Sequence, residues 1–181
     1  FRNSANVYNF AGNGTTSTLS GIIGALGGTN GTSSGGSIIK SGTGTLTLSG
    51  SNLYAGSATI SAGTLKLGAA GTATNTPLGT TAAGTTVSGT GTLDLAGFTL
   101  GTAEALSLAG TGTASSGALA NSGGAATYSG LVTLGAAASI VSNGNIVLSN
   151  VGIITGPTFG LTLDGTATGS TSGATRSTTC K

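Results

Sequence analysis

Three carboxylates, Asp94, Glu104 and Asp164, are the whole acid inventory of this 181-residue sequence, against five bases, Arg2, Lys40, Lys66, Arg176 and Lys181, and no histidine. A Ser-His-Asp relay and any histidine-bearing metal site are thereby excluded. The single cysteine, Cys180, excludes an internal disulfide and a multi-cysteine metal site, and leaves that thiol as an inert tail group or a cross-link between subunits. Paired carboxylates are the remaining acid–base option, as in sugar-cleaving enzymes. Asp94, however, stands between Leu93 and Leu95 and points outward if both leucines point in, and nothing brings Glu104 or Asp164 to it. The three acids read as surface groups; no catalytic residue, cofactor or metal is expected.

Other polar features read as architecture. Lys66 holds the place in "TLKL" that Asp94 holds in "TLDL", so stacked coils would pair them, at about 0–1 kcal/mol for an exposed pair. The glycine string at 27–36 lacks the lysine and the helix start of a phosphate loop and reads as turn. Tyr54 and Tyr128 lie in matching text and read as ladder aromatics, stacked in adjacent coils or marking a binding surface. "TGT" recurs at 43–45, 90–92 and 111–113, at intervals too uneven for a continuous water-ordering threonine array.

The elements that must position these groups are short apolar alternations: Leu46/Leu48, Leu65/Leu67, Leu93/Leu95, Leu106/Leu108, Ile146/Leu148 and Leu161/Leu163, each pair one residue apart as on one face of a strand. Glycine, serine, threonine and asparagine clusters separate them, and no sustained 3.6-residue apolar stripe predicts a helix. "SGTGTLTLSG" at 41–50 returns as "SGTGTLDLAG" at 88–97. Repetition selects a solenoid over a sandwich or barrel, with leucine ladders inside and backbone pairing between coils. Coils of roughly 20–25 residues give about eight coils and a rod of roughly 40 Å. The uneven spacing of the leucine pairs requires loops of variable length or coils with more than one pair.

Only 4% of residues are charged and 4% aromatic, the net charge is +2 and 36 residues are glycine. The scattered bases form no patch for nucleic acid, and the absence of charge between Glu104 and Asp164 removes a usual barrier to self-association. The apolar run at 131–141 is too short to span a membrane as a helix, and the aromatic girdles of a membrane barrel are missing.

Residues 42–68, "GTGTLTLSGSNLYAGSATISAGTLKLG", resemble the autotransporter-associated β-strand repeat of passenger domains and very large bacterial surface proteins, through Gly42, Gly44, Leu46, Leu48, Gly50, Asn52, Tyr54, Gly56, Thr59, Ile60, Gly63, Leu65, Leu67 and Gly68. Residues 117–165 resemble the same class, Tyr128, Ser129 and Gly130 echoing Tyr54, Ala55 and Gly56. The resemblance implies an all-β, right-handed parallel β-helix, export to the cell surface or medium, and no catalytic residues.

The expected organisation is an N-terminal cap or donated strand over 1–12, solenoid repeats over 13–165 and a tail or linker over 166–181. The expected function is structural: an exported fibre or stalk subunit whose partner is another copy of itself, with Phe1, Tyr8, Phe10 and Cys180 as possible assembly residues. The alternatives are a monomeric adhesin fragment that binds a carbohydrate or host surface and, third, an ice-binding or carbohydrate-active β-helix.

Overall fold

The alternation becomes a stack of parallel coils in the computed structural model, which describes residues 7–24, 35–152 and 154–166. The strands are β1 (Val7–Phe10), β2 (Thr16–Leu19), β3 (Ser37–Lys40), β4 (Thr45–Leu48), β5 (Ala58–Leu67), β6 (Thr85–Asp94), β7 (Leu106–Gly110), β8 (Leu119–Asn121), β9 (Ala126–Tyr128), β10 (Val132–Ser142), β11 (Ile146–Leu148) and β12 (Leu161–Asp164). The one helical element among the described residues is a single 3₁₀ turn, Thr113–Ser115. All pairings between these strands are parallel, each strand lying against its counterpart in the next coil. The protein is a parallel β-solenoid.

One wall carries β1, β3, the first half of β5 and of β6, β7 and the start of β10; a second carries β2, β4, the second halves of β5 and β6, β8, the end of β10 and β12. Loops and the β9–β11 pair close the third side. Each coil thus holds two inward series. Leu46, Leu65, Leu93, Leu119, Ile140 and Leu163 stack in one column, while Ile60, Val87, Leu108 and Leu134 stack in another. Leu106 and Leu108 therefore belong to the first wall rather than to the ladder of Leu93 and Leu95. This accounts for the short interval before them: these coils carry more than one apolar pair. The spacing along the leucine column, 19 residues from Leu46 to Leu65 but 28 from Leu65 to Leu93, is absorbed by loops such as the one holding the Thr76–Gly79 bridge.

Leu46, Leu48, Leu65, Leu67, Leu93, Leu95, Leu106, Leu108 and Ile146 are buried, each full leucine burial contributing about 1.5–3 kcal/mol. Leu148 and Leu161 are half-buried against the core. Leu163 corrects the expectation: it holds its place in the column, above Ile140, but is 53% exposed because it lies on the last described rung. Seven rungs are described, against about eight expected. Val7–Phe10, inside the stretch expected as a cap or donated strand, pairs with β3 of its own chain. Phe1, Cys180 and residues 167–181 lie outside the described residues.

The corner between the walls is set locally by Gly63, at φ +67°, where a side chain would be strained and would also run into the carbonyl oxygens of Gly42 and Gly44 one coil away. A register shift between Ile60 and Ala62 turns the strand there.

Candidate functional site

The polar groups sort into three places. On the second wall, Lys66 pairs in register with Asp94, as the matching text predicted, with Nζ 3.5 Å from Oδ2. The next coil adds Ser122, whose hydroxyl donates to Asp94 Oδ2 at 2.6 Å, whose backbone N–H donates to Oδ1 at 2.9 Å, and whose Oγ accepts from Lys66 Nζ at 3.0 Å. Ala96 N–H gives Oδ1 a further bond at 2.9 Å. Asp94 faces outward from its strand, yet the segment over it leaves only 6% of it exposed, which corrects its reading as an ordinary surface acid. Burial pushes its carboxyl up, but the bonds from Ser122 and Ala96 and the Lys66 charge outweigh that and hold it below the usual range.

This Ser–Asp–Lys cluster is a clamp across three coils. The serine proton is directed at a carboxylate kept weakly basic, the reverse of what a nucleophilic serine needs. Because the folded value is depressed, the stability it supplies is present above the unfolded value of 3.8 and lost as pH falls through the lower folded one. Ser122→Ala should raise the midpoint of acid unfolding followed by circular dichroism, whereas Lys66→Ala should cost no more than about 1 kcal/mol, the lysine side chain itself being 38% exposed.

Inside the first wall lies a second group. Glu104 is 1% exposed; its Oε1 accepts from Thr85 Oγ1 at 2.6 Å, and its Oε2 has no hydrogen-bond partner among the described residues, nor do Thr102 Oγ1 and Tyr128 OH. Burial pushes the carboxyl up to about 8, the Thr85 bond opposing. Tyr54 and Tyr128 are buried, as expected of ladder aromatics, and both phenols are raised by burial and then by the Glu104 charge. They belong to the second and fifth coils, so they do not stack on each other. Glu104 too corrects the reading of the acids as surface groups.

The third set ties coils together. Lys40 stands in the interior column between Phe10 and Ile60, 2% exposed, and its ammonium donates to Gly42 O and Ala62 O where the chain turns between walls. Burial lowers its pKa. Asn52 Oδ1 accepts from Ile23 N–H and its Nδ2 donates to Pro77 O, both at 2.7 Å, joining the first three coils. Asn121 does the same for the fourth to sixth: Oδ1 accepts from Gly97 N–H at 2.7 Å and Gly123 N–H at 3.3 Å, and Nδ2 donates to Gly124 O at 2.5 Å and Asn145 O at 3.0 Å. Lys40, Glu104 and Asn121 were missed as interior groups, although the signal was present: each is two residues from an inward aliphatic, Ile38, Leu106 and Leu119, and strand parity puts it inside.

Among the described residues no two of the three acids share a partner: Asp164 is exposed and its Oδ1 accepts from Gly165 N–H at 2.7 Å. Among the described residues no group of three or more histidine, cysteine or acidic side chains could hold a metal ion.

The fold and its coil-to-coil polar ties define a parallel β-solenoid. Residues 38–67 match the family model of the passenger-associated-transport-repeat, the repeat of autotransporter passengers, and that stretch runs from β3 to the end of β5 and includes Lys40, Asn52 and Tyr54. The repeat implies a secreted or surface-exposed protein. No curated protein and no solved structure matches the chain significantly.

Proposed function

We propose that this chain is a structural element of the bacterial cell surface or its surroundings, a stalk or fibre unit that extends by strand addition along its stack, and that it has no catalytic role. The observation that carries this reading is the first described rung. There Tyr8, Phe10, Leu19, Ile22 and Ile23 line a cavity of about 520 Å³ beside the edge strands β1 and β2. Val7 and Ile22 are exposed large apolar residues on the same end, and Leu163 on the other. A strand of matching direction laid against this rung would continue both walls and cover its apolar side chains.

A second reading, a monomeric adhesin, is favoured by a separate row. Thr59, Thr86, Ser107, Thr133 and Thr155 align on consecutive coils of the first wall, outward, at the roughly 4.8 Å inter-strand step. The "TGT" spacings do not reveal this row, because the aligned hydroxyls come from other positions.

Electron microscopy and light scattering over a range of concentrations separate the readings. Filaments or end-to-end oligomers that shorten in Phe10→Asp are expected, and their loss in reductant would assign Cys180 a cross-linking role. Discrete short particles at every concentration, sedimenting with insoluble polysaccharide, would overturn assembly in favour of the adhesin.

A further inference from the structure

Glu104 has no place in the structural role just proposed: a rod needs no buried acid. Its position is specific. It enters the interior two residues before β7, where Thr85 on β6 supplies the single hydrogen bond to its carboxyl. The main chain of the next coil closes on it at Gly130, which approaches the Glu104 carbonyl so nearly that no Cβ fits between. The titratable groups facing it are the Tyr54 phenol, from the segment after β4, and the Tyr128 phenol, on β9. Both stay neutral well beyond neutrality, so neither supplies a counter-charge. The one ion pair among the described residues, Lys66–Asp94, lies on the other wall.

An ionised carboxylate at this place would keep one hydrogen bond, from the neutral Thr85 hydroxyl, and an oxygen with no partner among the described residues. A protonated one is a neutral group with a hydrogen of its own to give. We propose that Glu104 is a proton-controlled latch in the middle of the solenoid, its protonated form holding the fourth coil against the fifth and its ionised form loosening that joint.

The sign follows from the two states. The carboxyl titrates near 4.5 in the unfolded chain and about 8 in the fold. Below pH 4.5 both states keep the proton; between 4.5 and 8 only the fold keeps it, so unfolding releases one proton and becomes easier as pH rises. Above 8 both are ionised and the loss is complete. Asp94 acts at lower pH, below 3.8, and with the opposite slope.

The test is urea unfolding of the full chain and of Glu104→Gln at pH 5, 6, 7 and 8. In the parent the unfolding constant should rise up to tenfold per pH unit, approaching roughly a thousandfold over the range. In Glu104→Gln it should change little. Hydrogen exchange in the parent at pH 8 should quicken first in 102–108 and 126–132. Should the glutamine variant fail to fold, Thr85→Val serves instead: it removes the one bond that favours the carboxylate and should carry the fall in stability to higher pH. Parallel pH profiles for parent and variant, or no proton release on unfolding of the parent between pH 5 and 8, would overturn the proposal.

Discussion

Replacing Asn121 by leucine should destabilise the protein by about 3 kcal/mol, although leucine is what the ladder pattern would place there. In the same inward column Leu19 lies against Leu48 and Leu48 against Leu67, with Leu95 following one residue beyond the Lys66–Asp94 pair, so a fifth leucine would extend an existing stack. The amide, however, satisfies two backbone N–H groups and two carbonyls drawn from three coils. Leucine would leave these four part-buried groups without the amide that pairs them, and a polar group left unpaired where water reaches it poorly costs about 1–3 kcal/mol. The hydrophobic gain of one leucine, about 1.5–3 kcal/mol, does not offset that. Urea denaturation gives the measurement. A variant within 1 kcal/mol of the parent would mean that water or rearranged backbone replaces the amide, and that Asn121 is a tolerated exception to the ladder.

Gly130→Ala should be comparably severe for a different reason. Gly130 has no unusual backbone conformation to protect; what it lacks is space, because an added methyl would overlap the backbone carbonyl of Glu104 and crowd the Tyr128 ring. A carbonyl in a hydrogen-bonded stack cannot give way as a flexible side-chain tip can, so the fifth coil has to lift from the fourth. Overpacking of this kind costs about 1–3 kcal/mol and occasionally more. At the size of this chain 3 kcal/mol corresponds to a fall in Tm of roughly 6–12 °C. Gly124→Ala is the control: its methyl meets nothing within 4 Å, and thermal unfolding should be unchanged within about 0.5 kcal/mol. Equal Tm values for the two variants would show that the coils slide past the added methyl without loss.

The leucine pairs disclosed the strands, and the repeated decapeptide disclosed their stacking, because period-2 burial and coil-on-coil repetition leave direct marks in the text. "TLKL" and "TLDL" even gave a correct contact 28 residues apart. What stayed hidden was whether a polar residue at an inward position has a partner. Lys40 looks misplaced in "SIIK" until the turn at Gly42 and the carbonyl of Ala62 are brought to its ammonium. Asn121 looks like turn chemistry in "NSGG" until coils above and below are added. Glu104 belongs to the same class by parity, but its environment depends on Thr85 and Tyr128, 19 and 24 residues away along loops whose lengths follow no fixed period. Ladder positions can be counted along one chain segment; their satisfaction depends on the coil lengths, and those vary.

The uneven coils also decide how the rod would yield to tension along its axis. Neighbouring coils hold one another mainly by rows of backbone bonds, so a pull on the two ends peels one coil at a time instead of shearing the whole stack. Each released coil exchanges a rise of roughly 5 Å for about 65–100 Å of extended chain, for coils of 19 to 28 residues. Asn52 and Asn121 each span three coils, so peeling should pause at both. A tether built this way is short at rest and lengthens in unequal steps under load, dissipating a sudden tug before it reaches whatever anchors the two ends.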